Sequence, residues 1–382
     1  MRNDLDKNKK VLNVPNLRFK KYKDSWKIVS LSEIVIRVTR KNKLNESLLP
    51  LTISAQHGLI DQTTFFGKTV ASKDLSNYYL LFRGDFAYNK SYSKDYPWGA
   101  VKRLNNYDKG VVSNLYICFK PYNVNSDFLE CYFETTKWNK GISNIAGEGA
   151  RNHGLLNMST SDFFCTKHYI PSIDEQISIS GLIKKINSRI MTQNKIIEDL
   201  FLLKKSITHD VFNKPSSEKN KLCNLIDIST GKRDANESDE RGIYPFFTCG
   251  KETLKINKYS FEGESLLISG NGEIGQVKYY SGKFDAYQRT YVLQNSKIPI
   301  LYLKAYLEFI LPMIVEREKQ QSAMPYIVLG TLKNIDVPIL DINKTNSIIS
   351  IFKAIDKKIE RENKYKELLN KEKRYLLNNL FI

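Results

Sequence analysis

ISGLIKKINSRIMTQNKIIEDLFLLKKSITHDVF, residues Ile179–Phe212, and IISIFKAIDKKIERENKYKELLNKEKRYLLNNLF, residues Ile348–Phe381, are one segment written twice. Adding 169 carries Ile179 onto Ile348, Ile183 onto Phe352, Ile186 onto Ile355 and Ile190 onto Ile359. The same step carries Leu200 onto Leu369, Ile207 onto Leu376, Val211 onto Leu380 and Phe212 onto Phe381, with no gap over 34 residues. The apolar positions Ile183, Ile186, Ile190, Ile197, Leu200 and Ile207 step by three, four or seven, and Phe352, Ile355, Ile359, Leu369, Leu376 and Leu380 do the same apart from one step of ten. That is a heptad seam, and it predicts two helices of about 36 residues, each roughly 54 Å long at 1.5 Å per residue. A lone helix cannot bury such a stripe, and the simplest partner for each is the other copy.

Upstream the repeat continues with a drifting offset. Ile170-Pro171 resembles Val337-Pro338 at 167, and Trp98-Gly99-Ala100-Val101-Lys102 resembles Ile274-Gly275-Gln276-Val277-Lys278 at 176. Phe82-Arg83-Gly84-Asp85 resembles Phe261-Glu262-Gly263-Glu264 at 179, and Leu31 with Ile34 resembles Leu222 with Leu225 at 191. A rigid repeated segment therefore follows a variable one whose second copy is shorter. The variable segments alternate β-rich runs with turn residues. Tyr79–Phe82, Val111–Phe119 and Tyr291–Leu293 read as strands, and Asp127–Trp138 and Pro299–Glu318 as helices. The expected fold is α+β: two mixed α/β domains alternating with two long helices that form an antiparallel coiled coil, with a pseudo-two-fold internal repeat. The expected boundaries are an N-terminal arm and first domain over 1–172, a helix over 173–212, a linker over 213–220, a second domain over 221–340 and a helix over 341–382.

The 382 residues carry 59 Lys and Arg against 41 Asp and Glu, a formal net charge of +18. That excess points to a polyanion partner, most simply nucleic acid. With 41% hydrophobic and 12% aromatic residues the chain can bury real cores. No uncharged apolar run reaches membrane-spanning length, and the polar first ten residues lack the apolar core of a signal peptide, so a cytoplasmic protein is expected. The five cysteines (Cys118, Cys131, Cys165, Cys223 and Cys249) include no Cys-x-x-Cys pair. The four histidines (His57, His153, His168 and His209) show no ligand spacing either, so no metal site is expected.

Gly270-Asn271-Gly272-Glu273-Ile274-Gly275 has the spacing Gly-x-Gly-x-x-Gly. A dinucleotide site needs a helix after it and an acid about 20 residues on. Here Gln276–Tyr280 reads as a strand and no acid lies near 295, so the stretch reads as a glycine-rich hairpin. There is no Pro-Pro for an amino-methyltransferase loop, no phosphate-binding Gly-x-x-x-x-Gly-Lys-Ser/Thr loop and no Pro-Asp for a magnesium nuclease. No catalytic residue is therefore nominated. Basic residues interleaved with aromatics and amides in expected loops are the candidate DNA contacts. They are Lys90, Ser91, Tyr92, Lys102, Arg103, Arg151, Asn152 and His153 in the first domain, and Asn271, Gln288, Arg289, Lys319, Gln320 and Gln321 in the second. Arg suits guanine and Asn or Gln suits adenine through paired hydrogen bonds, while Lys and Ser serve phosphates.

The opening Val14-Pro15-Asn16-Leu17-Arg18-Phe19, followed by Trp26 and Leu31, resembles the start of specificity subunits of type I restriction-modification systems, which serve bacterial defence. So does Ile170-Pro171 followed by Glu175-Gln176 and a long helix ending in Leu203-Lys204-Lys205 and Phe212. The resemblance spans essentially the whole chain, with one departure: the second helix begins Asn343-Lys344-Thr345-Asn346, without Glu-Gln. The resemblance implies that two target-recognition domains each read half of a split double-stranded DNA sequence, while two helices hold them apart. It implies a subunit that does no chemistry and holds no cofactor. Two methyltransferase subunits would dock on it and methylate adenine with S-adenosylmethionine, and two restriction subunits, using ATP and Mg2+, can join. Two readers on one face of a duplex should sit about one helical turn apart, roughly 34–36 Å, a span such helices can set. A bipartite, asymmetric target with an unread spacer is expected. The rival readings are a coiled-coil scaffold or adaptor with incidental charge, and a stand-alone nucleic-acid enzyme.

Overall fold

The computed structural model describes residues 13–54, 57–67, 70–93, 96–146, 154, 156–213, 218–319 and 326–382. The chain divides into two compact units: Met1–Thr192 with Lys366–Ile382, and Gln193–Tyr365. The predicted long helices are Ile173–Phe212 and Ile342–Asn379, and each contributes one half to each unit.

In the first unit a four-stranded antiparallel sheet runs in the order Val35–Arg37, Ile117–Pro121, Phe86–Asn89, Ala100–Arg103. Its Phe86, Tyr88 and Phe119 pack into an aromatic core with Phe128, Phe133 and Phe163. The second unit has a six-stranded sheet whose first four strands, Asp227–Thr230, Thr290–Gln294, Phe261–Ser269 and Val277–Ala286, repeat that order. The peripheral pairing repeats too: Lys27–Ser30 lies against Lys167–Ile170 in one unit, Lys219–Lys221 against Asp336–Pro338 in the other. Each is followed by a single helical turn that buries the leucine and isoleucine or leucine matched in sequence, Leu31 with Ile34 and Leu222 with Leu225.

The heptad seam is continuous once two polar positions are included. On the first helix it runs through 183, 186, 190, 193, 197, 200, 204 and 207, and the steps of seven in the apolar reading hide Gln193 and Lys204. Ile183, Ile186 and Ile197 are buried, and Ile190, Leu200 and Ile207 form the less buried remainder of the stripe. On the second helix Phe352, Ile355, Ile359, Leu369, Leu376 and Leu380 are all buried. Within the second unit the two helices run antiparallel: Gln193 Nε2 meets Glu362 Oε2 at 2.7 Å and, further along, Lys204 Nζ meets Asp356 Oδ1 at 2.6 Å. Each helix ends in an aromatic plug. Phe381 packs on Trp26, Phe128 and Tyr132 in the first unit, and its sequence match Phe212 packs on Tyr302 and Tyr306 in the second.

The Glu-Gln at the first helix start has a structural explanation. Glu175 takes a two-pronged ion pair from Arg18 of the N-terminal arm, both contacts 2.8 Å. Gln176 accepts from Asn125 N and donates to Pro171 O, tying the helix to the cap of helix Ser126–Phe133. The arm also donates from Leu17 N to Asn379 O, a carbonyl in the last turn of the second long helix. The match of Glu175 on the second helix is Lys344. There Lys344 pairs with Asp341 within its own helix start, at 3.1 Å.

Two predicted elements end differently. The run Val111–Phe119 is two strands, Lys109–Val112 and Ile117–Pro121, broken by a turn that Tyr116 N closes onto Ser113 O. The helix expected over Asp127–Trp138 stops at Phe133, because the Thr135 hydroxyl donates to Tyr132 O and competes for the next turn's acceptor. A further helix follows at Asn139–Ile145. Of the expected linker, 214–217 lie outside the described residues, and Lys219–Lys221 is paired as a strand.

His168 lies buried in the first unit between two hydroxyls. Its Nδ1 is 2.8 Å from Tyr132 Oη, and its Nε2 is 2.7 Å from Thr166 Oγ1. Thr166 already donates its proton to Phe163 O, so it accepts from His168 Nε2–H, and Tyr132 donates to Nδ1. Burial lowers the imidazole pKa to about 4. An unfolded histidine titrates near 6.5, so between about 6.5 and 4 the unfolded chain binds a proton that the folded one refuses. The stability from this group is therefore complete above pH ~6.5 and falls by about 3 kcal/mol as pH drops toward 4. Urea unfolding of the first unit across that window should show this slope, and His168→Gln should flatten it.

Candidate nucleic-acid interface

At one edge of the second unit four loops interlock through their backbones. The turn Tyr287–Arg289 leaves strand Val277–Ala286 with Tyr287 N on Phe247 O and Gln288 N on Arg233 O, at 2.9 and 3.0 Å. Arg289 O accepts from Gly270 N at 3.0 Å and from Cys249 Sγ at 3.3 Å. Glu273 N in turn donates to Cys249 O. The glycines of the Gly-x-Gly-x-x-Gly stretch serve this closeness. A Cβ on Gly270 would sit 2.7 Å from Arg289 O; one on Gly272, at φ +61°, would sit 2.9 Å from Cys249 O. The stretch is the turn joining two antiparallel strands, Phe261–Ser269 and Val277–Ala286, as the hairpin reading expects.

The backbone is thus fixed while side chains face outward. Gln288 and Arg289 are exposed and Asn271 is half-buried, so three predicted contacts share one edge. Lys232 and Lys251, absent from the predicted contacts, lie exposed on the neighbouring loops, Lys251 with its Nζ 3.9 Å from Glu273 Oε1. Their signal was available: each follows a glycine in a short turn. Arg233 by contrast is turned inward, paired with Glu237 at 3.0 Å and with the fully buried Asp285 at 3.4 Å.

The first unit carries the same device. Leu156 N donates to Lys90 O at 3.0 Å, just as Ile327 N donates to Gly270 O at 3.0 Å, so the loop after the central strand is held from the same side in both. Lys90-Ser91-Tyr92 is therefore the counterpart of Gly270-Asn271-Gly272. Asn89 Oδ1 accepts from Ser91 N and Oγ, and Tyr92 N donates to Gly154 O, leaving Ser91 and Tyr92 exposed. Lys90 is half-buried with Nζ 3.4 Å from Met158 O.

Lys102 and Arg103 are placed differently. Arg103 binds Asn105, Ser126, Asp127 and Glu130, locking strand Ala100–Arg103 to helix Ser126–Phe133. Lys102 lines a cleft of about 840 Å³ with Trp98, Glu134, Trp138 and Lys373. Burial holds its ammonium below its ordinary pKa, against the pull of Glu134. Arg151, Asn152, His153, Gln320 and Gln321 lie outside the described residues, as does the side chain of Lys319, which ends helix Ile300–Lys319. Among the described residues no group of three or more His, Cys, Asp or Glu could hold a metal ion, and no helix is long and apolar enough to cross a membrane.

Residues 216–371 match the family model described as type I restriction modification DNA specificity domain. The chain is 41% identical over 119 residues to the type I restriction enzyme EcoDI specificity subunit of Escherichia coli, covering 30% of this chain and 26% of that protein. It is 25% identical over 321 residues to the type I restriction enzyme MjaVIII specificity subunit of Methanocaldococcus jannaschii, covering 71% and 73%. The match to the E. coli protein thus spans about a quarter of that relative's length. In fold, the chain is similar to the type I restriction-modification system S subunit from M. genitalium, with a TM-score of 0.60 over 97% of this chain and 99% of that one, at 16% identity. A chain from a structure of the assembly of a type I R-M system gives the same TM-score and identity over 93% and 97%.

The interlocked edge makes a stability prediction. Gly272→Ala should destabilise the second unit by roughly 1–3 kcal/mol, through positive φ and the close Cys249 carbonyl. Arg289→Ala removes an exposed side chain and should stay within about 0.5 kcal/mol of wild type. Thermal melts of the two variants check both.

Proposed function

We propose, from the premise that this chain carries a type I restriction-modification DNA specificity domain, that it is the non-catalytic subunit reading a bipartite, asymmetric DNA target. Each unit reads one half-site, the two long helices set the spacing between them, and methyltransferase and restriction subunits dock on the same chain. S-adenosylmethionine, ATP and Mg2+ belong in this reading to those partner subunits.

One observation carries the reading. The two units repeat a sheet order and the hydrogen bond that clamps the loop after the central strand, yet the loops differ: Lys90-Ser91-Tyr92 in one, Gly270-Asn271-Gly272 in the other. A repeated frame with different donors and acceptors at its edge suits two unlike half-sites read by the same geometry. The +18 charge suits phosphate contacts along the duplex, which also predict strongly salt-dependent affinity.

Two experiments test this. Methylation mapping of DNA with the assembled complex should show adenine methylated within one split motif of fixed spacer length, and Arg289→Ala should relax or abolish recognition in one half only. Loss in both halves, or no change, contradicts the placement of Arg289. Adding one heptad to both helices adds about 10 Å and should lengthen the spacer by ~3 bp or abolish methylation. An unchanged spacer rules out the helices as the spacing element.

A further inference from the structure

Gln193 and Glu362 are buried polar residues at seam positions of the two long helices. Gln193 Nε2 donates to Glu362 Oε2 at 2.7 Å and also to the Glu362 main-chain carbonyl at 3.2 Å. The two residues are separated by 169, the repeat offset itself, so each is the sequence counterpart of the other. In an antiparallel pair of helices, residues separated by the repeat offset face each other at one level only, and this contact marks that level. It is also where the repeat departs from itself, with an amide on one strand and a carboxylate on the other.

We propose that the Gln193–Glu362 contact is the register key of the helix pair: it selects one axial alignment out of those that the apolar heptads would accept. Phe381 and Phe212 anchor the helix ends in the cores and oppose a slip of one heptad, whereas the leucines and isoleucines between them would keep most of their apolar contacts after it. The Gln193–Glu362 contact would not. Such a slip would set Gln193 against Ile355 in one direction and against Leu369 in the other. The amide and the carboxylate would then be buried without each other, a penalty that disfavours the slipped alignments by roughly tenfold or more. The bond to the Glu362 carbonyl adds axial precision, because a main-chain atom cannot follow a side-chain rotamer. Lys358 Nζ, 2.7 Å from Glu362 Oε1 one turn back, holds the carboxylate toward the amide and helps to keep its pKa down at about 2. The helix pair stands on the structure alone; the further step, that its register fixes the spacer between half-sites, rests on the function proposed above.

The test separates the two. Spin labels at the exposed Ser206 and Lys357, with the exposed Cys165 and Cys223 changed to serine, report register in the full chain as an electron–electron distance. Wild type should give one distance. Gln193→Leu combined with Glu362→Leu should remain folded by circular dichroism and give a second population, roughly a tenth of molecules or more, displaced along the helix axis by about one heptad, ~10 Å. Gln193→Met with Glu362→Met, closer in shape, serves the same purpose if the leucine pair does not fold. The exchange Gln193→Glu with Glu362→Gln should return a single distance. A single unchanged distance in a folded leucine or methionine pair overturns the register key. Methylation mapping on the same variants addresses the spacer: a broadened register with an unchanged spacer length would leave the key standing and contradict the helices as ruler.

Discussion

Each long helix packs one part of its seam into the core of one unit and the rest into the core of the other, and most of the architecture follows from that sharing. Each unit is completed by a segment from far along the chain. The first unit takes Lys366–Ile382, whose Leu376, Leu380 and Phe381 enter the same core as Trp26 and Phe128. The second takes the latter half of the first helix, with Phe212 against Tyr302 and Tyr306. The hydrogen bond from Leu17 N to Asn379 O ties the arm ahead of the first domain to the last turn of the second long helix within the first unit.

Once the helices are paired, the repeat gives two frames of the same topology that differ at their edges. The equivalence is clearest in backbone bonds, which no side-chain identity dictates: Leu156 N to Lys90 O and Ile327 N to Gly270 O. Strands are kept by their apolar pattern while loops are free to carry different chemistry. The inward arginines make the same point from the other side. Arg40 pairs with Asp85 and Arg233 with Asp285, each a cation just beyond an edge strand that satisfies a buried acid rather than a partner.

The helices were legible in the sequence because heptad periodicity survives substitution, and the offset of 169 aligns both copies from the residues alone. The hairpin at Gly270–Gly275 was legible too, since no acid follows at the distance a dinucleotide site needs. Features that depend on three-dimensional partners were not. Gln193 and Lys204 looked like gaps in the seam because their partners, Glu362 and Asp356, lie 169 and 152 residues away. Arg103 read like a loop cation, but Asp127 and Glu130 come round on a helix to meet it. The break at Ser113–Tyr116 was hidden in a run of β-formers, where propensity alone cannot place a turn. The loop equivalence of Lys90–Tyr92 with Gly270–Gly272 carries almost no side-chain signal and is visible only in backbone hydrogen bonds.

Hydroxyl-radical footprinting of the proposed complex, on a DNA fragment containing the sequence it modifies, shows whether two unlike readers sit at one fixed separation on a duplex. The proposed function predicts two protected segments of a few base pairs each, centred about one helical turn apart and separated by an accessible spacer. A single continuous footprint, or protection of one segment only, would contradict it.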